Sequence, residues 1–164
     1  MQLQSFEVEL LRTMQEGLRT ALVGGSSDDP IVARLFPRAV DGDADADAEL
    51  RHMVHDELLS DRLDALDELV ALLERGTGHR GGLRVDLEPD EAVLVLGVLN
   101  DLRLSIGARI GIEDLDRREV AEDDPVAYRL AVMDHLAWLQ EHLLAVLDPP
   151  SVSVHDEIDP EDLT

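Results

Sequence analysis

The groups best placed to do chemistry lie at Asn100-Asp101-Leu102-Arg103, where polar and charged side chains interrupt a run that is otherwise apolar from Ala92 to Ile106. On a helix, Asp101 and Arg103 cannot face the same way at a spacing of two. Arg103 is therefore expected to reach Asn100, or an acid or carbonyl on a neighbouring helix, and Asp101 to pair with Arg109 or Arg129. Two roles follow. The four residues Asn100, Asp101, Arg103 and Arg109 form either a polar network that fixes the order of the helices or a ligand-binding cluster. The structural role is favoured, because a charge in an apolar helix costs desolvation energy unless the fold supplies it with a partner. On that reading Arg103→Ala destabilises by several kcal/mol, and Arg103→Met by less.

Other candidates are weaker. His52 and His55 lie three apart beside Glu49 and Asp56, a spacing that helical metal sites use, but such sites need convergence from a second helix, so a solvent-facing helix side is the better reading. The acidic run Asp41 to Asp47 alternates carboxylates as a calcium loop does. Counted from Asp41, however, the sixth residue is Ala46 where glycine must turn the chain, and the twelfth is His52 where a bidentate Glu belongs. It reads as a solvated loop. His135 and His142 flank the apolar stripe of the last helix and read as edge packing. Gly76, Gly78, Gly81 and Gly82 precede a strand rather than follow one, and no lysine exists to reach a phosphate, so nucleotide binding is disfavoured. The seven serines occupy no nucleophile-elbow context. No catalytic, cofactor-binding or metal residue is assigned.

Composition narrows the field further. All 14 basic residues are arginine, against 37 acids, for a net charge of -23. The two arginine-free acidic segments, 41 to 49 and 155 to 164, do not account for it, so the field belongs to the whole domain. It repels phosphate backbones and anionic lipid. With no cysteine, thiol catalysis, disulfides and Cys-based zinc sites are excluded. No segment reads as a signal peptide or a membrane span, and a cytoplasmic setting is expected. Aromatics are only Phe6, Phe36, Tyr128 and Trp138, so the core is built from Leu, Val, Ile and Ala.

An all-α, single-domain bundle is expected over residues 1 to 148, followed by an acidic tail, 149 to 164, too poor in apolar groups to fold. Apolar spacing predicts a helix over 6 to 23 with Ser5 as N-cap, a short helix over 30 to 36, and helices over 46 to 55 and 61 to 75 with a bend near Ser60. The glycine-rich stretch from Gly76 starts as a loop. Leu83 to Leu87 alternates as a strand would, its one candidate partner being Met1 to Ser5, which gives a minor two-stranded ribbon. Pro89 opens the most apolar helix, expected at the centre of the bundle with a fraying end between Gly107 and Gly111, and Pro125 opens the last, to Leu147. The Asp41 to Asp47 loop and the tail are expected to be mobile and dispensable for folding.

Four short motifs occur in order: Glu9-Leu10-Leu11; Asp29-Pro30-x-x-x-Arg34-Leu35-Phe36-Pro37; Leu99-Asn100-Asp101-Leu102-Arg103-Leu104-x-x-Gly107-x-Arg109-Ile110-Gly111; and Trp138-Leu139-Gln140. Together they make the chain similar to the actinobacterial family catalogued as domain of unknown function 2017, over most of residues 6 to 147. The chain departs from that family in its short start before Ser5 and its reduced aromatics near Tyr128. The resemblance implies no activity and carries over no catalytic residue. It implies two settings: regulated proteolysis, since the family's genes neighbour that of an adaptor of the Clp protease, and transcription, since some members carry a regulator label. DNA contact fits poorly with this sequence, whose only adjacent basic pair, Arg117-Arg118, is ringed by Glu113, Asp114, Asp116 and Glu119. The favoured function is a non-enzymatic protein-interaction or regulatory module with a protein partner and scope for homo-oligomers. A DNA-linked regulator comes second, and a metal- or small-ligand-dependent enzyme third.

Overall fold

The computed structural model describes residues 1–26, 28–37 and 46–147, with the backbone alone for 46–53. Residues 41–45 of the expected loop, the tail after Pro149 and the side chains of Glu49 and His52 lie outside the described residues, while the backbone of 46 and 47 is already helical rather than loop. Within them the chain runs β1 (Gln2–Gln4), α1 (Ser5–Gly24), α2 (Pro30–Leu35), α3 (Ala46–Arg75), β2 (Thr77–His79), β3 (Gly82–Arg84), α4 (Pro89–Ile110) and α5 (Pro125–Leu147). The all-α class holds, with α4 as its hub. α4 packs against α1, α2, α3 and α5, and its Val95, Leu99 and Leu102 are almost completely enclosed. A helix apolar on nearly every side has nowhere else to go.

The minor ribbon is present and has three strands, ordered β1-β3-β2, all antiparallel. The glycine-rich stretch is thus a hairpin rather than a loop. Its two-residue connection, Arg80-Gly81, takes positive φ at both positions (46° and 79°), as a type I′ turn requires. β1 pairs with the other side of β3, Leu3 opposite Leu83, and Gly82 lies so close to the Leu3 carbonyl that a Cβ there would stand 2.0 Å from its oxygen. The register therefore needs glycine at 82. The short lead-in before Ser5 is enough to form the strand.

Two helix boundaries differ from expectation. α3 is one unbroken helix, because nothing between His55 and Asp61 is Gly or Pro and a serine alone does not stop a helix. Gly107 is buried inside α4, which ends at Gly111 in the left-handed region (φ 62°), where the Ile112 N–H donates to the Gly107 carbonyl at 3.0 Å. α2 starts as anticipated, with the Asp29 carboxylate accepting from Ile31 N–H at 2.8 Å and Pro30 at its first position.

α1 and α4 share one device at their N-termini. The first α1 residue is Ser5, but the capping carboxylate is Glu7, which accepts from Gln4 N–H at 2.6 Å. In α4, Glu91 accepts from Glu88 N–H at 2.8 Å and receives both guanidinium branches of Arg75, the last residue of α3, at 2.8 Å. Arg75 also donates to the Asp86 carbonyl, so one side chain closes the α3-sheet-α4 connection. The Arg75 hydrogen bonds, followed by the bond from Glu88 N–H, lower the Glu91 carboxyl from 4.5 to about 2. A depressed carboxylate stabilises the fold fully above its unfolded pKa and loses that contribution as pH falls through the folded one. We therefore expect Glu91→Gln to melt below the parent at neutral pH, the gap closing as the pH falls from about 4.5 to about 2; parallel thermal melts across that range check it.

Candidate functional site

The four positions of the anticipated cluster do not converge. Asn100 and Arg109 are exposed, and Asp101 and Arg103 point to opposite neighbours. Arg109 sits two turns from Asp101, about 12 Å along the axis, and Arg129 is exposed on α5, on the side that Arg103 faces. Asp101 pairs instead with Arg62 of α3, Oδ2 to Nε at 3.1 Å, and the Arg62 guanidinium lies 5.0 Å over the ring of Phe36, which itself packs against His55. Burial pushes the Asp101 carboxyl above its ordinary range, and the Arg62 charge only partly offsets this. Arg103 does cross to another helix, but its acceptor is an amide: Nη1 donates to Gln140 Oε1 on α5 at 2.7 Å, and Gln140 Nε2 donates to the Leu96 carbonyl at 3.2 Å. The polar interruption of α4 is thus split into two seams, one to α3 and one to α5. Three of the motif segments read in the sequence meet there, contributing Phe36, Asp101 with Arg103, and Gln140.

The seams are imperfect. Nε of Arg103 is buried without a hydrogen-bonded acceptor, and Nε of Arg62 has only its ion-pair contact with Asp101, at poor hydrogen-bond geometry. Beside Arg103 a cavity of about 370 Å³ opens between α2, α4 and α5, lined by Arg34, Gly107, Ile112, Glu113 and Met133 among others. Its other arginine is already engaged, Arg34 with Glu113 at 3.1 Å. Among the described residues no three His, Cys, Asp or Glu side chains converge as a metal set would, and His55 of the suspected group is spent on Phe36.

A different surface gathers groups that the sequence reading left apart. Glu7, only 4% exposed, places Oε1 2.8 Å from Nε2 of His135, tying the start of α1 to the middle of α5. Around this contact lie Phe6, with its centroid 5.5 Å from His135, then Trp138 stacked on His135 at 5.5 Å, then His142 at 3.9 Å from Trp138. Phe6, Tyr128 and Trp138 are 60%, 69% and 47% exposed. Three of the four aromatics in a chain that has so few therefore face solvent on one side of the molecule. A groove of about 630 Å³ runs between α1 and α5 at one end of this face, lined by Phe6, Leu10, Tyr128 and Val132 among others. The signal for Glu7 was its place three residues after Gln4 at a helix start; that for His135 was its sevenfold spacing to His142.

Since Arg103 meets a neutral amide and leaves Nε unsatisfied, its removal costs less than a buried ion pair would. We expect Arg103→Ala to lower the unfolding free energy by about 1.5–3 kcal/mol, the range for a hydrogen bond to a charged group, and Arg103→Met, which keeps the apolar stem, to lie near the parent. Urea unfolding of both variants measures this, and unchanged or raised stability in Arg103→Ala would assign the residue to ligand binding at the cavity.

No helix among the described residues is long and apolar enough to cross a membrane. No solved structure matches the chain. Among curated proteins it is similar to the oxidative stress regulator AosR of Mycobacterium tuberculosis and of Mycobacterium bovis, 30% identical over 111 residues in each, covering 68% of this chain and 49% of the relative. The chain thus spans about half the length of the curated relatives it matches. The family model described as domain of unknown function (DUF2017) matches residues 1–147, and the chain belongs to that family.

Proposed function

We propose that this domain is a non-enzymatic regulatory module that acts through a protein–protein contact made by the outward face of α5 and the first turn of α1. The observation that carries this reading is the exposed aromatic face itself. Phe6, Tyr128 and Trp138 stand in solvent on a molecule whose remaining surface is dominated by acids, and aromatic side chains are the residues that contribute most to protein interfaces. The mycobacterial relatives are named as regulators of oxidative stress, which supports a regulatory role here. Thiol oxidation would not be its trigger in these 164 residues, which hold no cysteine.

A DNA-linked regulator is the second reading, and the relatives' printed name favours it. Against direct DNA contact stand the charge of -23 and the engagement of Arg117, half of the only basic pair, with both carboxylate oxygens of Asp134 at 2.8 Å. Regulation through a protein that itself contacts DNA, or through a component of regulated proteolysis, fits the surface better.

In cells lacking the gene and challenged with oxidant, we expect the transcript and protein-turnover changes to be reversed by the wild-type chain and by Arg103→Met. The folded double variant Tyr128→Glu/Trp138→Glu should fail to reverse them. Full rescue by that variant would overturn the reading. Salt-dependent binding of duplex DNA by the isolated domain, measured by fluorescence anisotropy, would replace it with the second one.

A further inference from the structure

α5 packs chiefly against α4, and the face it turns away carries Tyr128, Ala131, His135, Trp138, His142 and Ala145. The steps between these residues are three, four, three, four and three, the heptad spacing of a helix that meets a second helix along a seam. Five of the six are exposed, and His135 is half-buried against Glu7. None is an acid or an arginine. We propose that this seam is the interface of a symmetric, antiparallel dimer of the chain, a proposal that rests on reading the face as a protein contact and names a second copy as its occupant.

Side-chain size selects the partner and its direction. In an antiparallel pair each first-type position of the heptad faces a fourth-type position of the other helix. About a two-fold axis between residues 136 and 137, Tyr128 faces Ala145 of the second copy, His142 faces Ala131, and His135 faces Trp138. Every large side chain then meets a small one, except at the centre, where an imidazole meets an indole in the stacking that His135 and Trp138 already show within one chain. A parallel pair would set Tyr128 on Tyr128 and Trp138 on Trp138, with alanine on alanine between them, leaving alternate clashes and gaps. The same surface satisfies both copies, which is what a two-fold contact demands.

Charge limits where two copies can meet. Two chains of -23 repel over most of their surfaces, and the uncharged seam is where they can approach. The flanking acids are Asp134 and Glu141. In the antiparallel register Glu141 comes near Asp134 of the second copy, a like-charge contact that Arg117, paired with Asp134, only partly offsets. The seam spans about 27 Å, at the small end of stable interfaces even with Phe6 beside it.

The absence of cysteine gives a direct test. In the 164-residue chain carrying Ala131→Cys and His142→Cys, the two thiols of one helix stand about 16 Å apart and cannot join each other. In the proposed dimer each faces the other type across the axis. Mild oxidation is expected to give a covalent dimer from the double variant and little from Ala131→Cys alone, and sedimentation equilibrium of the parent from about 1 to about 100 µM to show reversible dimerisation. Trp138→Glu, an exposed change whose folding is checked by circular dichroism, should weaken dimerisation about tenfold or more. A chain that stays monomeric throughout, or an Ala131→Cys variant that cross-links as well as the double variant, would overturn the proposal. A monomeric chain whose cellular activity is still lost in Tyr128→Glu/Trp138→Glu would overturn the dimer alone. A dimer whose disruption leaves that activity intact would overturn the functional reading alone.

Discussion

A helix that is apolar on nearly all sides must be covered on nearly all sides, and the structure is organised by that demand from α4. α1, α2, α3 and α5 supply the cover, and Val95, Val98, Leu99 and Leu102 are buried against them. One consequence falls on α5. It is itself rich in apolar residues, yet its principal neighbour is α4, so the buried residues are the stripe Val132, Leu136, Leu139 and Leu143 together with Leu130 near its start. The aromatic face on its other side is what remains when one central helix has claimed the cover.

The same demand explains the polar seams. Charges at 101 and 103 of a central helix must each be met by a different neighbour, since they point roughly 200° apart. Arg62 serves the first and Gln140 the second, fixing which helix lies on which side of α4. Such contacts add specificity of arrangement more surely than they add stability, as the raised Asp101 carboxyl and the unpartnered Nε of Arg103 indicate. Glu7 does related work at the edge of the bundle. It caps α1 and holds His135, so the position of the aromatic face relative to α1 is set by a buried carboxylate.

Much of this was legible in the sequence. The apolar content of 92 to 106 put α4 at the centre, Pro89 and Pro125 marked their helix starts, and the i, i+2 spacing of Asp101 and Arg103 ruled out a shared direction. Partner identity was not legible. Arg62 and Gln140 lie 39 and 37 residues from Asp101 and Arg103, and only the packing of α3 and α5 on α4 brings them near. The hairpin was hidden because Thr77 to Gly82 carries almost no apolar alternation; its signal is the positive-φ turn at Arg80-Gly81, where arginine is an unusual occupant. The aromatic face was missed because Phe6 and Tyr128 look like core residues by type, and exposure is decided by which face α4 occupies.

That face is where the fold and the proposed contact meet, and Trp138, the one tryptophan of the chain, reports on it directly. The decisive measurement is its fluorescence emission and acrylamide quenching as the concentration of the full chain rises from about 1 to about 100 µM. Coverage of the α5 seam by a second copy predicts emission moving to shorter wavelength, with quenching falling in step with association. Emission and quenching typical of a solvent-exposed indole at every concentration would contradict it.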